Sequence, residues 1–186
     1  ELIAFIDSDC VILKGWRENV IRAINKDGVA AVGSKYMIPP QPNWIEKAWY
    51  SQRNNKIFRV KYINSGNLVV KRHVFEQLGG FNEGLITGED TELGWRINKA
   101  GYVMIDDPSI QCVHYGNPKD IKGFYAQQKW HATGMMGTFR ISSFDKPLIM
   151  TVLFLLSALF SAILALVKIN WLKSIFLLTC VLVTTA

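Results

Sequence analysis

Apolar and polar positions fall into short blocks along this chain, and the changing period of those blocks predicts alternating strands and helices. Leu2, Ile3, Ala4, Phe5 and Ile6 form a continuous apolar run that ends at Asp7 and reads as a central strand. Trp16, Val20, Ile21 and Ile24 then recur at helical spacing until Asp27-Gly28 ends the pattern. A strand follows at Val29 to Val32. From Ile38 to Asn43 the sequence Ile-Pro-Pro-Gln-Pro-Asn predicts a loop, because each proline removes a backbone donor and restricts the residue before it. Trp44 to Asn54 reads as helical, and Ile63 to Val70 as a glycine-centred turn running into a strand. A short helix is expected from Arg72 to Leu78, closed by Gly79-Gly80. A longer one is expected from Asp90 to Ala100, with Leu93, Ile97 and Ala100 on its apolar face and Gly101 at its end. Tyr102 to Ile105 and Ile110 to Val113 are strand-like, and Ile121 to Gly137 is helical. Strands alternating with helices predict an α/β sheet domain.

The pattern changes after Lys146, beyond which the only charged residues are Lys168 and Lys173. Leu148 to Val167 is a charge-free run that, as a helix, would be roughly 30 Å long and match a bilayer's hydrocarbon core. The expectation is a sheet domain over residues 1–146 followed by a transmembrane hairpin over 147–186. Its first helix would cover 148–167 and its second, truncated, 174–186, with Lys168 to Lys173 at the interface between them. The chain opens within an apolar run and without a Met, so both ends are expected to be truncated.

Charge and cysteine content narrow the partners. The net charge is +6, with basic residues spread along the chain rather than gathered into a run that would track a phosphate backbone, so nucleic acid is not an expected partner. Lys122, Lys129, Arg140 and Lys146 precede the apolar run and Lys168 and Lys173 follow it, a bias that puts the sheet domain on the cytoplasmic side of an inner or plasma membrane. Cys10, Cys112 and Cys180 have no metal-ligand spacing and no C-x-x-C motif; they read as small buried or half-buried thiols in a reducing compartment.

The first chemical motif is Phe5-Ile6-Asp7-Ser8-Asp9, a strand delivering two carboxylates at its C-terminal edge, where open α/β sheets bind ligands. Two hard oxygen donors suit Mg²⁺ or Mn²⁺, which would bridge the phosphates of a nucleoside diphosphate. The alternative is an ordinary acidic turn after a strand. Gly66-Asn67 also has two readings: a tight bend, or a close approach of backbone to a donor sugar. Trp44, Trp49 and Tyr50 read either as packing aromatics or as a surface for sugar stacking.

Asn64-Ser65-Gly66-Asn67-Leu68-Val69-Val70-Lys71-Arg72, then Leu78-Gly79-Gly80-Phe81-Asn82, then Gly88-Glu89-Asp90-Thr91-Glu92-Leu93-Gly94-Trp95-Arg96, then Ala100-Gly101-Tyr102, come in an order and spacing that resemble the second half of family 2 glycosyltransferases of GT-A fold. With the D-x-D strand in front, the resemblance covers about residues 1 to 140. It implies the C-terminal portion of a Rossmann-like GT-A sheet, with the nucleotide-recognising N-terminal part missing and a C-terminal membrane hairpin. It implies an inverting enzyme that moves a sugar from a nucleotide-diphosphate sugar to a lipid-linked or cell-surface polysaccharide acceptor. Asp90 would be the catalytic base and Glu89 a supporting or acceptor-contacting residue. The helix N-terminus favours the ionised carboxylate at Asp90, while Glu89 or a low-dielectric wall raises its proton affinity toward that of a working base. His114 would be a third metal ligand beside Asp7 and Asp9. Gly66, Asn67, Gly80 and Phe81 would meet substrate.

Gln127-Gln128-Lys129-Trp130 resembles, in compressed form, the Q-x-x-R-W signature of processive relatives, with Lys129 where Arg is expected. Lys129 and Trp130 are therefore candidate substrate contacts; an amphipathic helix near a membrane surface is the other reading. Two further functional classes stay open at this stage: a non-catalytic membrane-anchored binding relative, and a sugar-phosphate nucleotidyltransferase.

Overall fold

The computed structural model describes residues 1–50, 56–138 and 146–166. The chain divides into two compact units, Glu1–Ile141 and Ser142–Ala186.

In the first unit the apolar blocks form the strands and helices that their spacing predicts. In chain order these are β1 (Leu2–Ile6), β2 (Cys10–Ile12), α1 (Trp16–Ile24), β3 (Val29–Gly33), α2 (Trp44–Trp49), β4 (Phe58–Arg59), β5 (Asn67–Lys71), α3 (Arg72–Gln77), α4 (Glu89–Lys99), β6 (Val103–Asp106), β7 (Cys112–His114) and α5 (Ile121–Thr138). Five strands make a mixed sheet in the order β1-β5-β3-β6-β4, and β2 and β7 make a separate two-stranded ribbon. Within the five-stranded sheet β3 and β6 run parallel; β1 and β3 flank β5 antiparallel, and β4 is antiparallel to β6. β2 and β4 were not predicted, being too short for a period of two to show.

Side-chain alternation along the central strands divides the core between the two faces of the sheet. On β5, Leu68 and Val70 join Val74 of α3 and Leu93 and Ile97 of α4 in one apolar cluster. Val69, between them, joins Val20, Ala23 and Ile24 of α1 in the other. A register shift between Val29 and Ala31 lets β3 send Ala30 and Ala31 to the first cluster and Val29 and Val32 to the second. The expected central position of the opening strand is corrected. Among the described strands β1 pairs with β5 alone, and Leu2 and Ile6 are exposed. A continuous apolar run fixes neither the burial of a strand's faces nor the number of its neighbours. The Gly79-Gly80 helix stop is present: both residues are left-handed (φ 82 and 71), and the Gly80 N–H reaches back to the Phe75 carbonyl at 2.9 Å.

Asn67 is also corrected. Expected to meet substrate, it is fully buried, and each polar group of its side chain is engaged within the fold. Its Oδ1 accepts from the Trp16 indole at 2.9 Å, while its Nδ2 donates to the Ser34 and Ile110 carbonyls, both at 3.0 Å. One amide thus ties α1, the end of β3 and the approach to β7 onto β5.

The second unit contains α6 (Lys146–Leu166), whose described side chains, those of residues 150–160 and 163, include exposed Leu155, Leu156 and Phe160. Among the described residues no helix is long and apolar enough to cross a membrane, so the expected hairpin gains no support from them. Its second helix, 174–186, and the interfacial segment 168–173 lie outside the described residues, as does Cys180.

Replacing Asn67 by Ala leaves an indole N–H and two carbonyls without their buried partner. Urea unfolding of Asn67→Ala is therefore expected to show a loss of about 1–3 kcal/mol; an unchanged midpoint would contradict the pinning role.

Candidate functional site

The site is assembled around a tight turn. The Asn67 N–H returns to the Asn64 carbonyl at 3.1 Å, leaving Ser65 and Gly66 at the corner where β5 begins. Register pairing of Ile6 with Asn67 brings the end of β1 against this corner, and the Asp7 N–H lies 3.4 Å from the Gly66 carbonyl. A Cβ at Gly66 would stand 2.1 Å from Asp7 Oδ2 and 2.4 Å from the Tyr36 hydroxyl. Gly66 lies in the tight bend, and what approaches its backbone here is a carboxylate of this chain.

Past Asp7 the chain turns, with the Cys10 N–H on the Asp7 carbonyl, and enters the β2–β7 ribbon. There Cys10 faces His114 in register, and the Tyr115 N–H donates to the Asp9 carbonyl at 2.9 Å. His114 Nε2 lies 3.4 Å from Asp9 Oδ2. Donor atoms of Asp7, Asp9, Cys10 and His114 all fall within 4.8 Å of one another. A second glycine makes room for them: a Cβ on Gly116 would stand 1.8 Å from Asp9 Oδ2. Tyr36 backs the group, its ring stacked on His114 with centroids 4.8 Å apart and its hydroxyl donating to Asp7 Oδ2 at 3.4 Å. Burial, then the Asp7 charge, pushes the Tyr36 phenol far above its usual range, so it remains a hydrogen-bond donor.

Two carboxylate oxygens and an imidazole nitrogen, held over two glycines that leave no space for a side chain, fit a hard or borderline divalent cation. Burial, followed by contact with the Cys112 thiol, pushes Cys10 well above the ordinary thiol range. A soft sulfur ligand is a poor match for such a cation. Cys10, Tyr36 and Gly116 also belong to the site without a motif spacing that marks them. The adjacency Asp9-Cys10 carried a signal for the first; nothing local in the sequence joins Tyr36 or Gly116 to the acidic pair.

The same turn reaches the second acidic pair. Gly88, left-handed at φ 83, caps α4 so that Glu89 and Asp90 form its first turn. The Ser65 hydroxyl donates to Glu89 Oε1 at 3.3 Å, and the Ser65 backbone N–H bonds the Asp90 carboxylate. Burial raises the Asp90 pKa above the usual carboxylate range and the Glu89 charge adds to it, against hydrogen bonds from Thr91 and Ser65. The Thr91 N–H is 2.6 Å from Asp90 Oδ1. Arg96 fixes this helix from its far side: it forks onto Glu92 and donates to the carbonyls of Leu78 and of Gly80, the latter at 2.7 Å. Gly80, expected at the substrate, thus serves the turn that α4 is tied to.

An open cleft of about 530 Å³ is lined by Asp7 from the first group and Glu89 from the second, with Ser65, Phe81, Glu83, Ile86 and Trp130 among others; Asp9, His114 and Asp90 are not among its lining residues. Phe81 forms part of its wall while packing edge-on against Phe5 and Phe75, with centroids 4.8 and 5.4 Å away. Trp130, half exposed, reaches the cleft from α5; Lys129 is exposed and is not among its lining residues. Trp44 is exposed rather than packed, Tyr50 borders a separate cavity beside Tyr36 and Asn117, and the side chain of Trp49 lies outside the described residues.

A family model described as Glycosyl transferase family group 2 matches residues 2–186. A pre-mycofactocin glycosyltransferase of Mycobacterium tuberculosis is 27% identical over 125 residues, 61% of this chain and 27% of that protein. An N-acetylglucosaminyl-diphospho-decaprenol L-rhamnosyltransferase of the same organism is 30% identical over 80 residues, 40% of this chain and 26% of that protein. The chain therefore spans about a quarter of the length of these two relatives. Among solved structures, the mannosyltransferase PcManGT from Pyrobaculum calidifontis, in complex with GDP-Man and Mn²⁺, is similar in fold, with a TM-score of 0.54 at 18% identity over 79% of this chain and 41% of that one.

Adding a methyl at position 116 must displace the Asp9 carboxylate. Gly116→Ala is expected to weaken Mn²⁺ binding by about tenfold or more in a calorimetric titration, the scale of a disturbed ligand shell. An affinity equal to that of the unmodified protein would mean that Asp9 takes no part in binding.

Proposed function

The chain belongs to glycosyl transferase family group 2, and from that membership we propose that it carries the metal-binding and acceptor-side residues of an inverting, divalent-metal-dependent glycosyltransferase. The donor is a nucleotide-diphosphate sugar and the acceptor a lipid-linked or cell-surface glycan. The observation that carries this reading is the Ser65-Gly66 corner, which touches Asp7 on one side and Glu89 and Asp90 on the other.

Asp7, Asp9 and His114 would hold Mn²⁺ or Mg²⁺, which supplies charge stabilisation to a nucleoside diphosphate as it leaves. Asp90 accepts the proton of the acceptor hydroxyl while that oxygen attacks the anomeric carbon. Attack on the face opposite the leaving group inverts the centre. A carboxylate in bulk water is a weak base; burial, which raises the proton affinity of Asp90, brings it nearer the value that general-base catalysis needs. Ser65 and Thr91 restrict its orientation. Phe81, Ile86 and Trp130 offer apolar surface for a sugar face, and Glu89 an acceptor for its hydroxyls.

A lipid-linked acceptor is supported by the relative named for a decaprenol-diphosphate-linked sugar. A membrane location, with the sheet unit on the cytoplasmic side, is supported by the charge-free run Leu148–Val167 and by the basic residues that precede it.

Asp90→Asn is expected to lower kcat by about 10²–10⁴-fold while Mn²⁺ and donor still bind; release of nucleoside diphosphate to acceptor measures it, and undiminished turnover would remove Asp90 from the reaction. Release of pyrophosphate instead would indicate attack on phosphorus. The base works deprotonated, so activity should rise with pH through a pKa above the ordinary carboxylate range, with the raised value set first by burial. An acid limb at or below about 3.9, the ordinary Asp value, would contradict this assignment.

A further inference from the structure

A histidine can bind a metal through Nε2 only if that nitrogen presents a lone pair, and in the neutral ring this requires the proton on Nδ1. At His114 the nitrogen facing the acidic pair is Nε2, 3.4 Å from Asp9 Oδ2. The other nitrogen, Nδ1, lies 2.9 Å from Oδ1 of Asn117. A side-chain amide can in principle present either its oxygen or its NH₂ to that nitrogen, and the choice decides the tautomer.

Asn117 has no such choice. Its Nδ2 donates to the His114 carbonyl at 2.9 Å. A carbonyl is a pure acceptor, so turning the amide over would set oxygen against oxygen. The segment that carries Asn117 is tied down two residues on: Lys119 Nζ sits 2.5 Å from Oε1 of Glu46, whose side chain is 2% exposed and completes a capping box with Asn43 at the start of α2. The Asn43 side chain in turn donates to the Lys119 carbonyl at 3.1 Å. This network lies outside the metal ligands and is satisfied whether or not a cation is bound.

We propose that Asn117, oriented by the His114 carbonyl, is a positioning residue that holds the neutral His114 ring as the Nδ1–H tautomer with its Nε2 lone pair aimed at Asp7 and Asp9. The relay runs from that carbonyl through the amide to the imidazole. The inference rests on reading Asp7, Asp9 and His114 as a metal site, and its first readout needs no metal.

The test begins with ¹⁵N NMR of the His114 ring in the metal-free full chain, at a pH about two units above the ordinary histidine pKa of about 6.5. The relay predicts Nδ1–H; a ring carrying its proton on Nε2 overturns it. Titration with Mn²⁺ and Mg²⁺ alone follows. Asn117→Ala should raise the Mn²⁺ Kd by about 10–100-fold and lower the preference for Mn²⁺ over Mg²⁺, since an imidazole donor favours the transition metal. A residue that merely supports the fold would leave that preference unchanged. Mn²⁺ affinity that survives Asn117→Ala but is lost in His114→Ala overturns the relay and leaves the metal site standing. Binding indifferent to Asp7→Asn would instead remove the metal site and the relay together.

Discussion

Asp7 lies against the Cα of Gly66 at a separation that admits no side chain, and most of the site follows from that contact. It requires glycine at the corner before β5 and sets the height at which β1 ends. The neighbouring residue, Ser65, faces α4 and contacts both Glu89 and Asp90. A pair of carboxylates suited to a cation and a pair suited to proton transfer are thereby held on opposite sides of two adjacent residues. Neither pair could shift independently of the sheet, because Asn67, the next residue, is locked into the core by three hydrogen bonds.

The other half of the cation site has a different anchor. His114 comes from the short β2–β7 ribbon, which buries one strand and exposes the other: Cys112 and Val113 of β7 are in the core, Val11 and Ile12 of β2 are exposed. Polar connections add to this anchor, with Met37 bridging to β7 on one side and the Glu46–Lys119 ion pair closing the segment after it on the other. Removing Lys119 would leave the buried Glu46 charge uncompensated, so the segment is held by the cost of breaking the pair. Tyr36 then links the two anchors, since one ring touches both Asp7 and His114.

Much of this was legible in the sequence, for reasons that differ between residues. Periodic blocks such as Trp16 to Ile24 and the glycine-closed helix before Gly79-Gly80 carry their own structural instructions, and they fold as read. Asp7, Asp9 and His114, expected together because of a family resemblance, lie together in space. Asn67 misled because its neighbour is at the site: a polar residue in a functional motif looks like a ligand contact, and only burial shows that its partners are Trp16, Ser34 and Ile110. Gly80 misled in the same way, its carbonyl being taken by Arg96. Gly116, Tyr36 and Asn117 were invisible because their roles depend on contacts made by tertiary packing or by a local hydrogen bond that no periodicity encodes.

The central claim is that Asp7, Asp9 and His114 form a single cation site beside the Glu89–Asp90 pair. Its most direct test is the anomalous scattering of Mn²⁺ in crystals of the protein grown with a nucleoside diphosphate. The account predicts one strong peak at coordination distance from carboxylate oxygens of Asp7 and Asp9 and from Nε2 of His114, with diphosphate oxygens completing the shell and the Cys10 thiol outside it. A peak held elsewhere, or one coordinated by Cys10 in place of His114, would contradict it.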